Sequence, residues 1–428
     1  MNTNKLSKNK FTKEERSWIT YEWADSTFTS IMMASIFPIF FVNMAGGEGS
    51  FGSAWWGYGN SFARLISGIL APLIGSLLAF KGYKKRFLLL FVYSGVFVHL
   101  LIVFQNTWQT LLISYIITKI FWSLSSLVYD SYLPDATTKE RMGKVAAWGK
   151  AMGYLGGSTI PFAIAIILVL FGENFGINEV LAVRISIAMS AIWWGIFAIP
   201  IFINVHFKFG INRPPKGVFK SAILNSISTA KKIKKNKGLF IFVLAYFFYI
   251  DGVGTIVTMA TAFGAEIGLS METMIGALFA TQIIATIFSI IFGKLESKYN
   301  SISLIIFAIY IYILICIIGF IMSLGLEENW ISLDTVNIMF WVLAGLVGTV
   351  QGGIQAMSIA TFGRLIPVEH SGEYFGFFEI FGRFAAILGP FLYASILTIT
   401  GRPSVSMLSI IGIFITGLIL LMYGKKHM

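Results

Sequence analysis

The sequence predicts an all-α membrane protein of twelve transmembrane helices, arranged as two pseudo-symmetric bundles of six. Three observations predict it. The 428 residues are 56% hydrophobic and only 12% charged, about half the charged fraction of a soluble chain. Apolar runs near 20 residues, long enough to cross a bilayer, recur from end to end. These runs fall into two sets of six on either side of one long basic break, residues 206–237.

The first run opens with TYEWADSTF and continues to Ala45. It is too long for the apolar core of a signal peptide and no small-residue cleavage site follows, so it is expected to persist as a helix. The expected spans are 19–44, 53–79, 87–104, 108–134, 143–171, 180–205, 238–265, 272–294, 301–324, 334–363, 373–398 and 404–424. Most of the 32 Lys and Arg fall in the N-terminal tail, the even-to-odd loops and the C-terminus. The opposite loops carry Glu48, Glu173, Glu179, Glu266, Glu272, Glu327, Glu328 and Asp334 instead, with Arg402 among them and Arg184 close by. The positive-inside rule then places both termini in the cytoplasm and the chain in the cytoplasmic membrane. The net charge of +12 is thus a signature of topology, and no nucleic-acid partner is expected. Cys316, the single cysteine, lies in an apolar run and reads as a buried packing residue.

The expected organisation is a tail (1–18), a first bundle (19–205), a basic linker (206–237), a second bundle (238–424) and a short tail (425–428). Within the linker Pro214-Pro215 breaks helix. After it Val218, Phe219, Ala222, Ile223, Ile227, Ala230 and Ile233 recur at helical spacing, with lysines opposite. That pattern predicts an amphipathic helix on the inner membrane surface, drawn to anionic lipid. The two bundles repeat. A shift of 233 residues lays Gly143, Gly149 and Gly156 on Gly376, Gly382 and Gly389, Lys150 on Arg383, and Pro134 on Pro367. A shift of 226 lays WADS (23–26) on YIDG (249–252), matching Asp25 to Asp251. Two six-helix repeats with both termini inside resemble the plan of the major facilitator superfamily. GSLLAFKGYKKR (75–86) resembles that superfamily's loop motif, except that Ala79 stands where its acid usually is; GKLESKYN (293–300) is a weaker copy.

Charge inside a bilayer is costly and usually faces water or a partner. The ionisable groups within spans are Glu22, Asp25, Arg64, Lys119, Asp130, Lys150, Arg184, Asp251, Glu379 and Arg383. In the major-facilitator plan spans three, six, nine and twelve face lipid, and of these only span six holds a charge, Arg184, near enough to its outer end to snorkel. At ~1.5 Å per helical residue, Arg64, Lys119, Asp251 and Arg383 fall near the midplane. Glu22, Asp25, Asp130, Lys150 and Glu379 fall in the inner third. The midplane set is the candidate substrate site, with Arg64 or Lys119 holding a carboxylate and Asp251 an ammonium; Gln351 and Gln355 on span ten add neutral hydrogen-bonding groups. The inner set is the candidate for proton coupling or gating. Pairing of these charges purely to fix the fold is the competing structural reading, and the i, i+4 pair of Glu379 with Arg383 favours it for Glu379. His99, His206, His370 and His427 are scattered without ligand spacing, so no metal is expected. No GxxxxGK[ST] phosphate loop is present, so neither a cofactor nor enzyme chemistry is expected.

Four blocks then resemble one branch of the superfamily: YEWADSTF, YLPDATTKERMGKVAAWGKAMGYLGG, FFYIDGVGTIVTMATAFG, and GGIQAMSIATFGRLIPVEHSGEYFGFFEIFGRFAAILGP. They resemble the "unknown major facilitator" group of prokaryotes, related to the autophagy-linked vacuolar amino-acid effluxers of fungi. The resemblance implies twelve-helix secondary transport, with amino-acid export in the fungal relatives. Asp25 stands where that family usually has Asn, and Glu22 where it usually has Asp. The expected function is alternating-access transport of a small polar or zwitterionic solute, amino-acid-like and outward, coupled to protons, by a monomer embedded in membrane lipid. The alternatives are export of amphiphilic compounds or lipids, and a receptor or scaffold that does not translocate.

Overall fold

The computed structural model describes residues 10–45, 51–80, 82–206, 208–209 and 218–427. Pro214-Pro215 and the side chain of Arg383 lie outside the described residues, as do Glu48 and the side chains of Glu266 and Glu272. The described residues hold twelve helices long and apolar enough to cross a membrane. Spans one to six are Lys13–Met44, Trp55–Leu78, Tyr83–Ile102, Trp108–Ser131, Lys139–Phe175 and Glu179–Asn204. Spans seven to twelve are Lys237–Ala260, Gly276–Leu295, Ser301–Glu327, Leu333–Leu365, Val368–Thr400 and Pro403–Gly424. Number and order match the sequence expectation; the ends differ where polar caps carry a helix past its apolar stretch. Span one starts early because Thr12 and Glu15 form a reciprocal capping box, with bonds of 3.2 and 2.9 Å, which satisfies two of the first turn's orphan N–H groups.

Spans one and five are not uniform helices. Each loosens into a π-helical stretch, Thr29–Ala34 and Gly153–Thr159, and span one then breaks at Ser35. Pro38 and Pro161 follow these stretches, where a missing N–H already weakens the α ladder. The two loosened segments meet, with the Ser30 hydroxyl donating to the Gly157 carbonyl at 3.4 Å.

The glycine repeat has a structural meaning in both halves. A Cβ on Gly156 would sit 2.1 Å from the Trp23 indole, and one on Gly389 would sit 1.9 Å from Thr255 Oγ1. Span five therefore packs closely on span one, and span eleven on span seven, because these positions have no side chain. The first glycine of each trio faces the opposite half instead. A Cβ on Gly143 would meet Glu296 of span eight at 2.4 Å, and one on Gly376 would meet the Gly75 backbone of span two at 2.7 Å.

These crossings define one closed end. It carries Lys84–Arg86, Lys139–Arg141 and Lys231–Lys237, and is here called the basic end. Along span two the stripe that meets span eleven runs through Gly75, Ala71 and Gly68, then on by helical spacing to Leu65 and Tyr58. The latter two are 49% and 67% exposed. Span eleven mirrors this, passing from buried Gly376 to Phe384, Ile387 and Phe391, the last 65% exposed. The halves thus touch at the basic end and part toward the acidic end. Between them in sequence, a helix at Val218–Lys235 packs on spans two and eleven. Its Thr229 and Ile233 are buried while Leu224 and Ile227 are exposed, and the Thr229 hydroxyl donates to Glu373 at 2.8 Å.

A side chain at the glycine crossing cannot be absorbed, because its neighbours are backbone atoms. Gly376→Val is expected to cost ~1–3 kcal/mol of overpacking and to pry the basic end apart. A cysteine placed at Ala79, which is 2% exposed, should then react with maleimide in that variant and stay protected in the unaltered background. Cys316 is buried and contributes little labelling of its own.

A charge cluster on the seam between the halves

The inner-third charges predicted from sequence come together. Span one is fixed against span four by aromatic packing: Tyr129 lies between Trp18 and Tyr21, with ring centroids 4.5 Å apart on either side. Trp18 Nε1 donates to the Tyr129 carbonyl at 3.3 Å and the Tyr129 hydroxyl to the Trp18 carbonyl at 3.1 Å. Span five closes on the other flank, where Gly149 and Gly153 leave room for Trp18 and Glu22. This places the Glu22 carboxylate 2.7 Å from Lys150 Nζ, a contact ion pair bent away from hydrogen-bond geometry. Asp25 accepts from the Ser126 hydroxyl at 2.6 Å. Asp130 stands within electrostatic reach of Lys150, Glu22 and Asp25, and of Glu379 from span eleven. Among the described residues one ammonium therefore serves three carboxylates of its own half, and a fourth faces them across the seam.

Of the described midplane groups, Lys119 and Arg64 gather around Tyr115 and Asp251 stands apart. Lys119 is buried, hydrogen-bonds the Asn60 amide oxygen and lies 5.6 Å from the Tyr115 ring centre. The same oxygen accepts from the Tyr115 hydroxyl at 2.8 Å, and Arg64 acts electrostatically on Tyr115. Asn60 and Tyr115, which hold Lys119, are residues that nothing in the sequence singles out, since neither carries charge. Asp251 is apart from this group. It is 0% exposed and neither carboxyl oxygen has a hydrogen-bond partner among the described residues, so the expected shared site for a carboxylate at Arg64 or Lys119 and an ammonium at Asp251 is not assembled in this conformation. The reason is packing: span eleven's Gly389 seals the carboxyl inside the second bundle. Gln351 lines a cavity of about 90 Å³ with Gln282, Thr281 and Tyr393, while Gln355 is half-buried. Arg383 lies on span eleven, and nothing is described of its side chain. Arg184 meets the Asn106 amide at 2.7 Å, at the rim of the acidic end. Among the described residues no group of three His, Cys, Asp or Glu is arranged to hold a metal.

Closure of the basic end rests on two ion pairs that the sequence did not pair, one fully buried and one half-buried. Ala79 removes the loop motif's acid, yet Lys84 is buried and bonded to Asp135 at 2.6 Å, to the Ser131 carbonyl at 2.8 Å and to the Ser371 hydroxyl at 2.9 Å. Asp135 Oδ1 also accepts the backbone N–H groups of Lys208 and Phe209, at 2.9 and 3.2 Å. In the second half Arg364 pairs with Glu296 and donates to the Lys139 carbonyl of the first at 2.7 Å. Each half thus contributes one cation that reaches the other.

Breaking the Lys84–Asp135 pair should cost ~3–5 kcal/mol, because either partner alone is left charged and buried. Lys84→Met and Asp135→Leu are each expected to lower the melting temperature of the purified protein sharply. The double variant should recover much of that loss, a non-additivity that a double-mutant cycle measures.

Comparison with known proteins agrees with this architecture. Residues 51–426 match the family model described as "Vacuole effluxer Atg22 like". The chain is 37% identical over 98% of its length, and 96% of the relative's, to the uncharacterized MFS-type transporter YxiO of Bacillus subtilis. It is 24% identical, over 64% of its length, to autophagy-related protein 22 of Cryptococcus neoformans, spanning half of that longer protein. In fold it resembles the human organic anion transporter MFSD10 (TM-score 0.73, 12% identity, 96% and 99% of the two chains). It also resembles the proton:xylose symporter XylE (TM-score 0.69, 12% identity, 95% and 94%). The chain belongs to the Atg22-like effluxer family, a multi-pass membrane protein of the MFS transporter type and not an enzyme.

Proposed function

We propose that this protein is a secondary transporter that moves a small polar or zwitterionic solute, amino-acid-like by family resemblance, out across the cytoplasmic membrane by alternating access. The basic end is the cytoplasmic end, following the charge of its loops, so the conformation described is open outward. The observation that carries the reading is the charge cluster on the seam. Glu22, Asp25, Asp130 and Lys150 of the first half meet Glu379 of the second below the parted acidic ends. Charges so placed change their partners whenever the halves rock. Lys150 holds Glu22 while the basic end is shut; opening that end admits water to the cluster and lets its acids exchange protons, which couples solute movement to the proton gradient. Arg64, Lys119, Gln351, Gln355 and Arg383 form the solute-facing set, with Asn60 and Tyr115 orienting Lys119. The protein works as a monomer, one pathway per chain.

Purified protein in liposomes loaded with a mixture of unlabelled amino acids should accumulate radiolabelled amino acids by counterflow. Lys150→Met should reduce the initial rate at least ~10-fold, equivalent to about 1.4 kcal/mol on the barrier, while the variant stays monodisperse. Vesicles that show no exchange with any amino acid in the mixture would count against the solute class. A fluorescent protein fused after Met428 should emit in cells, and alkaline phosphatase fused there should stay inactive, if the basic end is cytoplasmic.

A further inference from the structure

The repeat places an acid at the same point of both halves, but the two environments differ. Asp25 is partly exposed, bonded to Ser126 and set in the field of Lys150. Asp251 has none of these. Its side chain is closed off by Gly389, where even a Cβ would stand 3.0 Å from Oδ2. The neighbouring Thr255 hydroxyl spends its proton on the Asp251 backbone carbonyl at 2.7 Å, and the Tyr249 hydroxyl pairs with Ser358 at 2.7 Å. Among the described residues only the Gly389 N–H is turned to the carboxyl, outside hydrogen-bond geometry.

The elements packed on span seven bring no cation of described position to this depth. Spans eight, ten and twelve carry no Asp, Glu, Lys, Arg or His within 273–293, 335–363 and 403–424. On span eleven the titratable neighbours are Tyr393, a turn beyond Gly389, and Glu379 and Arg383 toward the basic end. The linker helix and C-terminal lysines lie at that end too. Tyr246 and Tyr249 are the other titratable groups of span seven near Asp251. An ionised carboxylate enclosed without a partner is far less stable than the neutral acid.

We propose that Asp251 is a proton-binding site, holding its carboxyl proton while the acidic end is open and giving it up when span eleven moves off span seven. The cavity of about 90 Å³ lies one turn toward the acidic end, bordered by Ile256, Tyr393, Gln282 and Gln351. Its lining is mainly apolar, with Thr281, Gln282, Gln351 and Tyr393 as its polar groups, so water that enters as span eleven moves away receives the proton, Oδ–H breaking and a carboxylate remaining. The repeat therefore divides labour: the first-half acid belongs to the charge cluster, and the second-half acid carries a proton by itself. Only the release step rests on the alternating-access reading.

Infrared spectroscopy of the purified protein across a pH series tests the site without transport. At pH 7 the wild type should show a protonated-carboxyl stretch, and a component of that band should be missing from Asp251→Asn and displaced in Asp251→Glu. No protonated-carboxyl band in the wild type at pH 7 would overturn the proposal, as would a band identical in Asp251→Asn. Amino-acid counterflow in vesicles of the same preparation reports on the transporter reading separately. A band without counterflow leaves the proton site standing and counts against the amino-acid solute class; counterflow without the band overturns the proton site and leaves the transport reading standing.

Discussion

Everything else in this structure depends on how the two halves are held at the basic end. The contact combines two physical elements. Glycines let span two cross span eleven at backbone distance and let span five close on the end of span eight, which favours short-range packing where lipid offers no hydrophobic drive. Around those crossings each half extends a cation, the buried Lys84 or the half-buried Arg364, that is paired at home and donates one further bond to the opposite half. Such an arrangement is strong only while it is complete, because a buried ion stripped of its partner is heavily penalised. It is suited to two discrete states rather than to gradual flexing. Asp135 adds the chain that connects the halves to the same contact.

The cost of charge in a bilayer explains the distribution of the rest. Spans three, nine and twelve carry no Asp, Glu, Lys or Arg between their terminal turns. The charged spans cluster their ions where neighbours can answer them. Lys150 answers Glu22, the Asn60 amide answers Lys119, and the Asn106 amide answers Arg184. Asp251 is the departure, a buried acid answered by no described side chain. Its surroundings are those of a neutral group, and the same glycine that allows spans seven and eleven to pack also shuts water out.

The loosened helices bear on the same question. Both π-helical stretches occur in the first half, in spans one and five, next to the acids at 22 and 25. The corresponding spans seven and eleven are continuous α-helices. The pseudo-symmetric halves are therefore unequal in both charge and helix geometry, with the first holding its ion cluster beside π-helical segments and the second holding its acid on a continuous α-helix.

Hydrophobic length, the sign of loop charge and the glycine–acid repeat determined the class, the number and order of spans and the internal duplication. Each follows from transfer energy or steric size, which belong to individual residues and their spacing. The same reasoning placed Glu22, Asp25, Asp130, Lys150 and Glu379 at one depth, and the structure brings them to one place. Depth along a helix does not fix rotation or partner, however. That Lys84 belongs to Asp135 and not to a loop acid, that neutral Asn60 supports Lys119, and that Asp251 is sealed away from Arg64 were decided only by how the helices turn and cross. Those pairings join residues on different spans, in places on different halves, and two helices at the same depth present different faces until packing chooses between them.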